Sequence, residues 1–433
     1  MKLIRVANTA LLIALTWTTA VAVVQQRDDK SVDTHTQLGI KAAAANDLNQ
    51  AVRHFAAAAS LAPSDPSTRN NYGAILMRAG RTAEARTQFE ASLALNPDQP
   101  SALTNLAQIY FEGGRPDDLR MACTLFERAL KSTSDPQISQ ALVTTYLKLA
   151  QVLLEKDLRG AGRTLETAVA KGLDDPKIYA ALADVYQADG RFENAIPAMR
   201  LAIQSDPQNE VYHFRYGLLL IDSHAPAAGI LRLQESLKQF PDSARLWLAL
   251  GIAQLTHGQN AEAENSFKRS LTLDAKLVPA VAYLGVTYAE RGLYDKAIEL
   301  YEQAIALNAQ LAAPYYLVAE TMLKMSNADT TRAEKYLRRA TEIDPALAAA
   351  YLAWGKLYVR ANRHKEAAPL FERAVSLQPE LLEAHYQLSQ VLFKLKRTEE
   401  ANRELEIFKQ LSAKQKAQNE PRDIVRRLAN VRF

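Results

Sequence analysis

A chain of 433 residues is long enough for about three ordinary domains or for one extended internal repeat. Hydrophobic residues at 48% and charged residues at 23% are ordinary globular usage, which excludes a disordered, collagen-like or multi-span membrane chain. The formal net charge is +4, and the last 21 residues supply that whole surplus (Lys414, Lys416, Arg422, Arg426, Arg427 and Arg432 against Glu420 and Asp423). The body is therefore too balanced for the basic stripe that neutralises phosphates, and no nucleic-acid partner is expected.

At the N-terminus a basic start (Lys2, Arg5), an apolar stretch centred on Ala10-Leu11-Leu12-Ile13-Ala14-Leu15 and the small-x-small triplet Ala20-Val21-Ala22 read as an export signal over residues 1–25. Two outcomes stay open: cleavage near residue 22, or an uncleaved anchor built on residues 6–24, although Asn8, Thr9, Thr16, Thr18 and Thr19 dilute that span. In both, everything after residue 25 is expected outside the cytoplasm, in the periplasm or cell envelope. The single cysteine, Cys123, lies far from this segment, so a lipid anchor there is excluded, as are an intramolecular disulfide and a multi-cysteine metal site.

From residue 26 to 412 the chain repeats. Apolar-small pairs recur at Leu38-Gly39, Tyr72-Gly73, Leu106-Ala107, Leu182-Ala183, Tyr216-Gly217, Leu250-Gly251, Leu284-Gly285, Val318-Ala319, Trp354-Gly355 and Leu388-Ser389, with a spacing that is almost always 34. Twelve residues on comes a second small residue (Ala51, Ala85, Ala195, Ala263, Ala297, Ala367, Ala401), and four later a large one such as Phe55, Phe89, Phe267, Tyr301 or Phe371. The chain resembles the tetratricopeptide repeat, and the unit Trp247, Leu250-Gly251, Ala263, Phe267 carries the pattern almost complete. The resemblance implies an all-α solenoid of about eleven helix-turn-helix repeats in a right-handed superhelix. Each unit is expected to be two amphipathic helices whose small residues let the pair approach closely. Gly80, Gly114, Gly190, Gly258 and Gly292 are placed for the turn between them, and Pro63, Pro97, Pro207, Pro241, Pro345 and Pro379 for the end of the second helix. The pattern degenerates over about residues 115–176, where extra residues are expected in 115–121 and a long helix over 137–156.

No chemistry emerges from the motifs. Seven histidines occupy positions 35, 54, 213, 224, 257, 364 and 385, and none forms a close pairing along one helix. No nucleophile elbow or phosphate loop is present, and Cys123 sits in an apolar run that suits a buried, inert thiol. No enzyme activity, cofactor or metal is expected.

Recognition remains. In the family resembled, positions 2, 5, 6, 9, 12 and 13 of each first helix line the concave wall, where peptides or partner helices bind. Position 6 is Gln37, Asn71 and Asn105 in the first three units, which resembles an asparagine ladder for the backbone of an extended peptide; a solvated polar face is the competing reading. In the middle units Phe214, Leu218, Ile221, Leu248, Ile252, Leu255 and Val286 map to the same wall as an apolar strip suited to a partner helix or to self-association. Near the C-terminal end Lys324, Lys356, Arg360 and Lys394 form a cationic group that resembles a carboxylate-gripping lining, with Glu320 a candidate partner for one of them. Residues 413–433 read as a basic amphipathic helix, through Ile424, Val425, Leu428 and Val431, that caps the array or else lies on an anionic membrane. The expected function is a noncatalytic protein-binding scaffold of the cell envelope. Its alternative is a noncatalytic subunit of a glycan-transfer, cytochrome or pilus assembly machine whose enzyme is a separate chain.

Overall fold

The computed structural model describes residues 30–325 and 329–417, which form helices and turns divided between two compact units, Met1–Pro207 and Gln208–Phe433. The expected export signal and the tail after residue 417 lie outside the described residues. The first unit contains five hairpins: α1 (Lys30–Ala44) with α2 (Leu48–Leu61), α3 (Pro66–Arg78) with α4 (Thr82–Leu95), α5 (Pro100–Gly113) with α6 (Pro116–Ser132), α7 (Pro136–Leu153) with α8 (Leu158–Ala170), and α9 (Pro176–Ala188) with α10 (Phe192–Ser205). The second contains six: α11 (Glu210–Asp222) with α12 (Pro226–Gln239), α13 (Ala244–Thr256) with α14 (Asn260–Leu273), α15 (Val278–Glu290) with α16 (Tyr294–Leu307), α17 (Ala312–Lys324) with α18 (Thr330–Ile343), α19 (Ala348–Arg360) with α20 (His364–Leu377), and α21 (Leu382–Lys394) with α22 (Thr398–Ala417). The expected all-α array of paired helices is what the chain adopts.

Local chemistry sets each boundary. Asp65, Asp135 and Asp175 cap α3, α7 and α9 by accepting from the backbone N–H two residues on, each followed by a proline in the first turn, where its missing N–H costs nothing. Most turns inside hairpins use one left-handed residue, the α7–α8 turn being an exception. Glycine supplies it at Gly80, Gly114, Gly190, Gly258 and Gly292, and Asn46, His224, Asn362 and Lys396 adopt the same conformation elsewhere at φ 58–62°. The bonds Gly80 N–H to Met77 O and Arg81 N–H to Leu76 O, 3.0 and 2.9 Å, close the first helix in a Schellman motif. Second helices stop two residues before the expected prolines: α2 at Leu61, α4 at Leu95, α10 at Ser205 and α12 at Gln239. The intervening residues, such as Ala62 and Asn96, are forced out of the helical region.

The small residue of each first helix has a sharper purpose than close backbone approach: it makes room for the large side chain of its own second helix. A Cβ added at Gly73 would lie 2.6 Å from the Phe89 ring, at Gly251 2.5 Å from Phe267, at Gly285 2.6 Å from Tyr301 and at Gly355 2.4 Å from Phe371. Those four rings are essentially fully buried. Where alanine or serine replaces glycine, at Ala107, Ala183, Ala319 and Ser389, the facing residue is no longer aromatic but Cys123, Met199, Leu337 or Leu405. Successive repeats are tied by polar bonds, the Tyr186, Tyr288 and Tyr358 hydroxyls donating to Glu166, Glu264 and Glu334 of the preceding second helix at 2.9, 3.1 and 2.8 Å.

The degenerate stretch departs from expectation in one respect. α6 begins at Pro116 without an insertion, because Leu119 N–H bonds Arg115 O just as Ala85 N–H bonds Arg81 O. The extra residues instead lengthen the helices themselves: α6 has 17 residues and α7 has 18, against 14 in α4 and 13 in α3. Leu119 thereby takes the place of the small alanine, and Cys123 that of the aromatic. Burial pushes the Cys123 thiol up to about 12, with the Glu127 carboxylate adding to the effect, so the inert thiol read from the sequence is what the fold makes.

Candidate protein-binding surfaces

In the first unit Gln37, Asn71 and Asn105 stand at one register on three successive first helices, α1, α3 and α5. Gln37 is exposed, and Asn71 and Asn105 are half-buried. Asn105 Nδ2 donates to Asn70 Oδ1 at 3.1 Å, and Asn70 is buried, so one amide of the row is fixed by the protein before any ligand arrives. Beside it Thr104 Oγ1 is buried with no hydrogen-bond partner among the described residues.

In the second unit the apolar positions divide. Leu248 and Ile252 are 5% and 6% exposed members of the unit's hydrophobic cluster, together with Ile221, Leu255 and Val286, while Phe214 and Leu218 pack against it and stay partly accessible. The strip read from the sequence is thus mostly core, because its leucine and isoleucine side chains contribute to the cluster that holds α13, α15 and α17 together.

The cations divide as well. Lys356 is half-buried and pairs with Glu383 of α21, so its partner is not Glu320. Glu320 instead lies near Tyr301, whose phenol is held well above its ordinary value by burial and then by the Glu320 charge. Lys324, Arg360 and Lys394 are exposed in the last turns of α17, α19 and α21, and among the described residues none of the three makes an ion pair. Each is favoured there by the negative end of its helix. The same last-turn position is acidic earlier in this unit, as Asp222 in α11 and Glu290 in α15.

Sequence reading missed the cross-helix pairs. His35 and His54 meet in the first hairpin, and His385 meets Glu404 in the last, both at a separation of 19 residues. A search along single helices cannot find them; the spacing within the hairpin can.

Family profiles of the tetratricopeptide repeat match residues 36–88, 75–137, 216–278 and 352–406, with further matches at 176–209 and 285–326. The chain belongs to the tetratricopeptide repeat family. Among its relatives, anaphase-promoting complex subunit 3 of Schizosaccharomyces pombe is 25% identical over 178 residues, 41% of this chain and 26% of that protein. The human antiviral innate immune response effector IFIT1 is 21% identical over 216 residues, 43% of this chain and 45% of that protein. The chain thus spans between about a quarter and just under half of these relatives. The crystal structure of yeast Tom70 aligns over 94% of this chain and 95% of that one, at 17% identity and a TM-score of 0.48.

Proposed function

We propose that this protein is a noncatalytic scaffold that holds a protein partner against the first helices of its repeats, in the cell envelope or periplasm. The observation that carries the reading is the row of exposed cations Lys324, Arg360 and Lys394, on three successive first helices at one register and without an ion pair among the described residues. A repeat array presents such a row to a chain running across the helices, and the exposed cations steer an acidic segment to it. The Gln37, Asn71 and Asn105 row adds side-chain amides for a peptide backbone in the first unit. The exported location rests on the Lys2, Arg5 start and the Ala20-Val21-Ala22 triplet.

The test is direct. A glutamate-rich peptide should bind the full chain more tightly than its lysine-rich counterpart, and Arg360→Glu with Lys394→Glu should weaken the acidic peptide by ~10-fold and flatten its salt dependence, with helix content unchanged. Equal affinity of the variant would leave the row an ordinary solvated face. A reporter fused after residue 60 that works only in the cytoplasm would defeat the exported reading.

A second reading is a noncatalytic subunit serving an enzyme or assembly machine on another chain. It is favoured by the 33% identity over 103 residues to the human Protein O-mannosyl-transferase TMTC2, which covers 12% of that protein. Copurification of a transferase with the full chain distinguishes it.

A further inference from the structure

In the first hairpin Nδ1 of His35 on α1 lies 3.2 Å from Nδ1 of His54 on α2, the ring centroids being 5.5 Å apart and the planes tilted by 40°. The repeat geometry dictates this contact. The equivalent residues meet in other hairpins: Arg69 with Gln88 at 3.5 Å, His385 with Glu404 at 2.6 Å, and, across a longer turn, Tyr315 with Tyr336 at 6.1 Å between ring centroids. Of these four pairs only the first places two imidazole nitrogens face to face.

Two Nδ1 atoms at this distance share one proton. One ring donates it and the other accepts, because two N–H groups aimed at each other repel. A turn of each ring by a few tens of degrees can instead direct both lone pairs at one cation. With metal–nitrogen bonds of about 2.05 Å, a separation of 3.2 Å subtends roughly 100° at the metal, close to the tetrahedral angle that zinc prefers. Both rings are half-buried, so part of each still reaches solvent. Imidazole suits zinc, copper and nickel rather than the hard cations magnesium and calcium.

We propose that His35 and His54 form a two-histidine site for a divalent ion of the zinc class, with water completing its coordination. Bound there, the ion clips α1 to α2 and stabilises the first hairpin by mass action. Among the described residues no third histidine, cysteine or carboxylate joins the pair, so the site is weaker than a structural zinc site with four protein ligands and responds to changes in free metal.

Isothermal titration of the full chain with zinc chloride, beside hydrogen exchange of the α1 and α2 amides, tests the assignment. One ion per chain is expected, with slower exchange confined to the first hairpin. His35→Ala and His54→Gln should each lower the affinity ~10-fold or more, while His257→Gln should leave it unchanged. The double variant His35→Asn/His54→Asn keeps the polar contact without the Nδ1 ligands. Zinc binding that survives in it, or no binding to the unmodified chain at millimolar zinc, overturns the proposal.

Discussion

The hairpins α13–α14 and α5–α6 solve one packing problem in two ways. In the first, Gly251 opens a space that the Phe267 ring fills, with the small Ala263 one turn before it. In the second the sizes are exchanged: Ala107 stands for the glycine, Leu119 for the small alanine and Cys123 for the phenylalanine, and all three are buried. Bulk lost at the aromatic place is offset by bulk gained at the alanine place, and that is the kind of change a close-packed interior tolerates. The repeat is thus specified by shared volume across a pair of helices more than by a residue at each place.

This comparison can be broken most severely by emptying the aromatic site. Phe267→Ala should cost about 4 kcal/mol, and Cys123→Ala at the equivalent place about 1 kcal/mol, because far less buried volume is removed. Hydrogen exchange of the amides in each hairpin reads the two losses separately, which matters because an array's stability is a sum of local terms. Equal losses would mean that the two sites do not correspond.

A smaller effect sharpens the pairing itself. Gly251→Ala places a methyl against a ring that cannot retreat, for about 2 kcal/mol, and the double variant Gly251→Ala/Phe267→Leu should recover more than half of it by reproducing the alanine–leucine pair at Ala319 and Leu337. Urea denaturation of the single and double variants checks this coupling. Additive losses would show that glycine serves the backbone and not the ring.

The smallest effect concerns the turns. Lys396 adopts φ 62° at the place where α13–α14 uses Gly258 at φ 84°. Lys396→Gly should therefore stabilise the last hairpin by about 0.5–1 kcal/mol, and Gly258→Lys should destabilise its own by a similar amount, both measured as shifts in melting temperature. A loss from Lys396→Gly would mean that the lysine side chain contributes more than its strained backbone costs.

Helix number, hairpin pairing, the turn glycines and the end of the second helix at the repeat-closing prolines were legible in the amino-acid order alone, because they are local. They depend on φ preferences, caps and a 34-residue period that each unit satisfies within itself. The inert character of Cys123 was legible for the same reason, being a matter of apolar neighbours along one helix. Whether a position that maps to a binding wall stays open was not. Leu248 and Ile252 share the periodicity of a partner-binding strip, but burial is decided by how closely neighbouring repeats pack. The pairing of Lys356 with Glu383 and the bond from Asn105 to Asn70 likewise depend on side chains of neighbouring repeats being carried to within a few ångströms. No local preference encodes such distances; only the packed arrangement of helices decides which charges and amides are spent on the protein and which remain for a ligand.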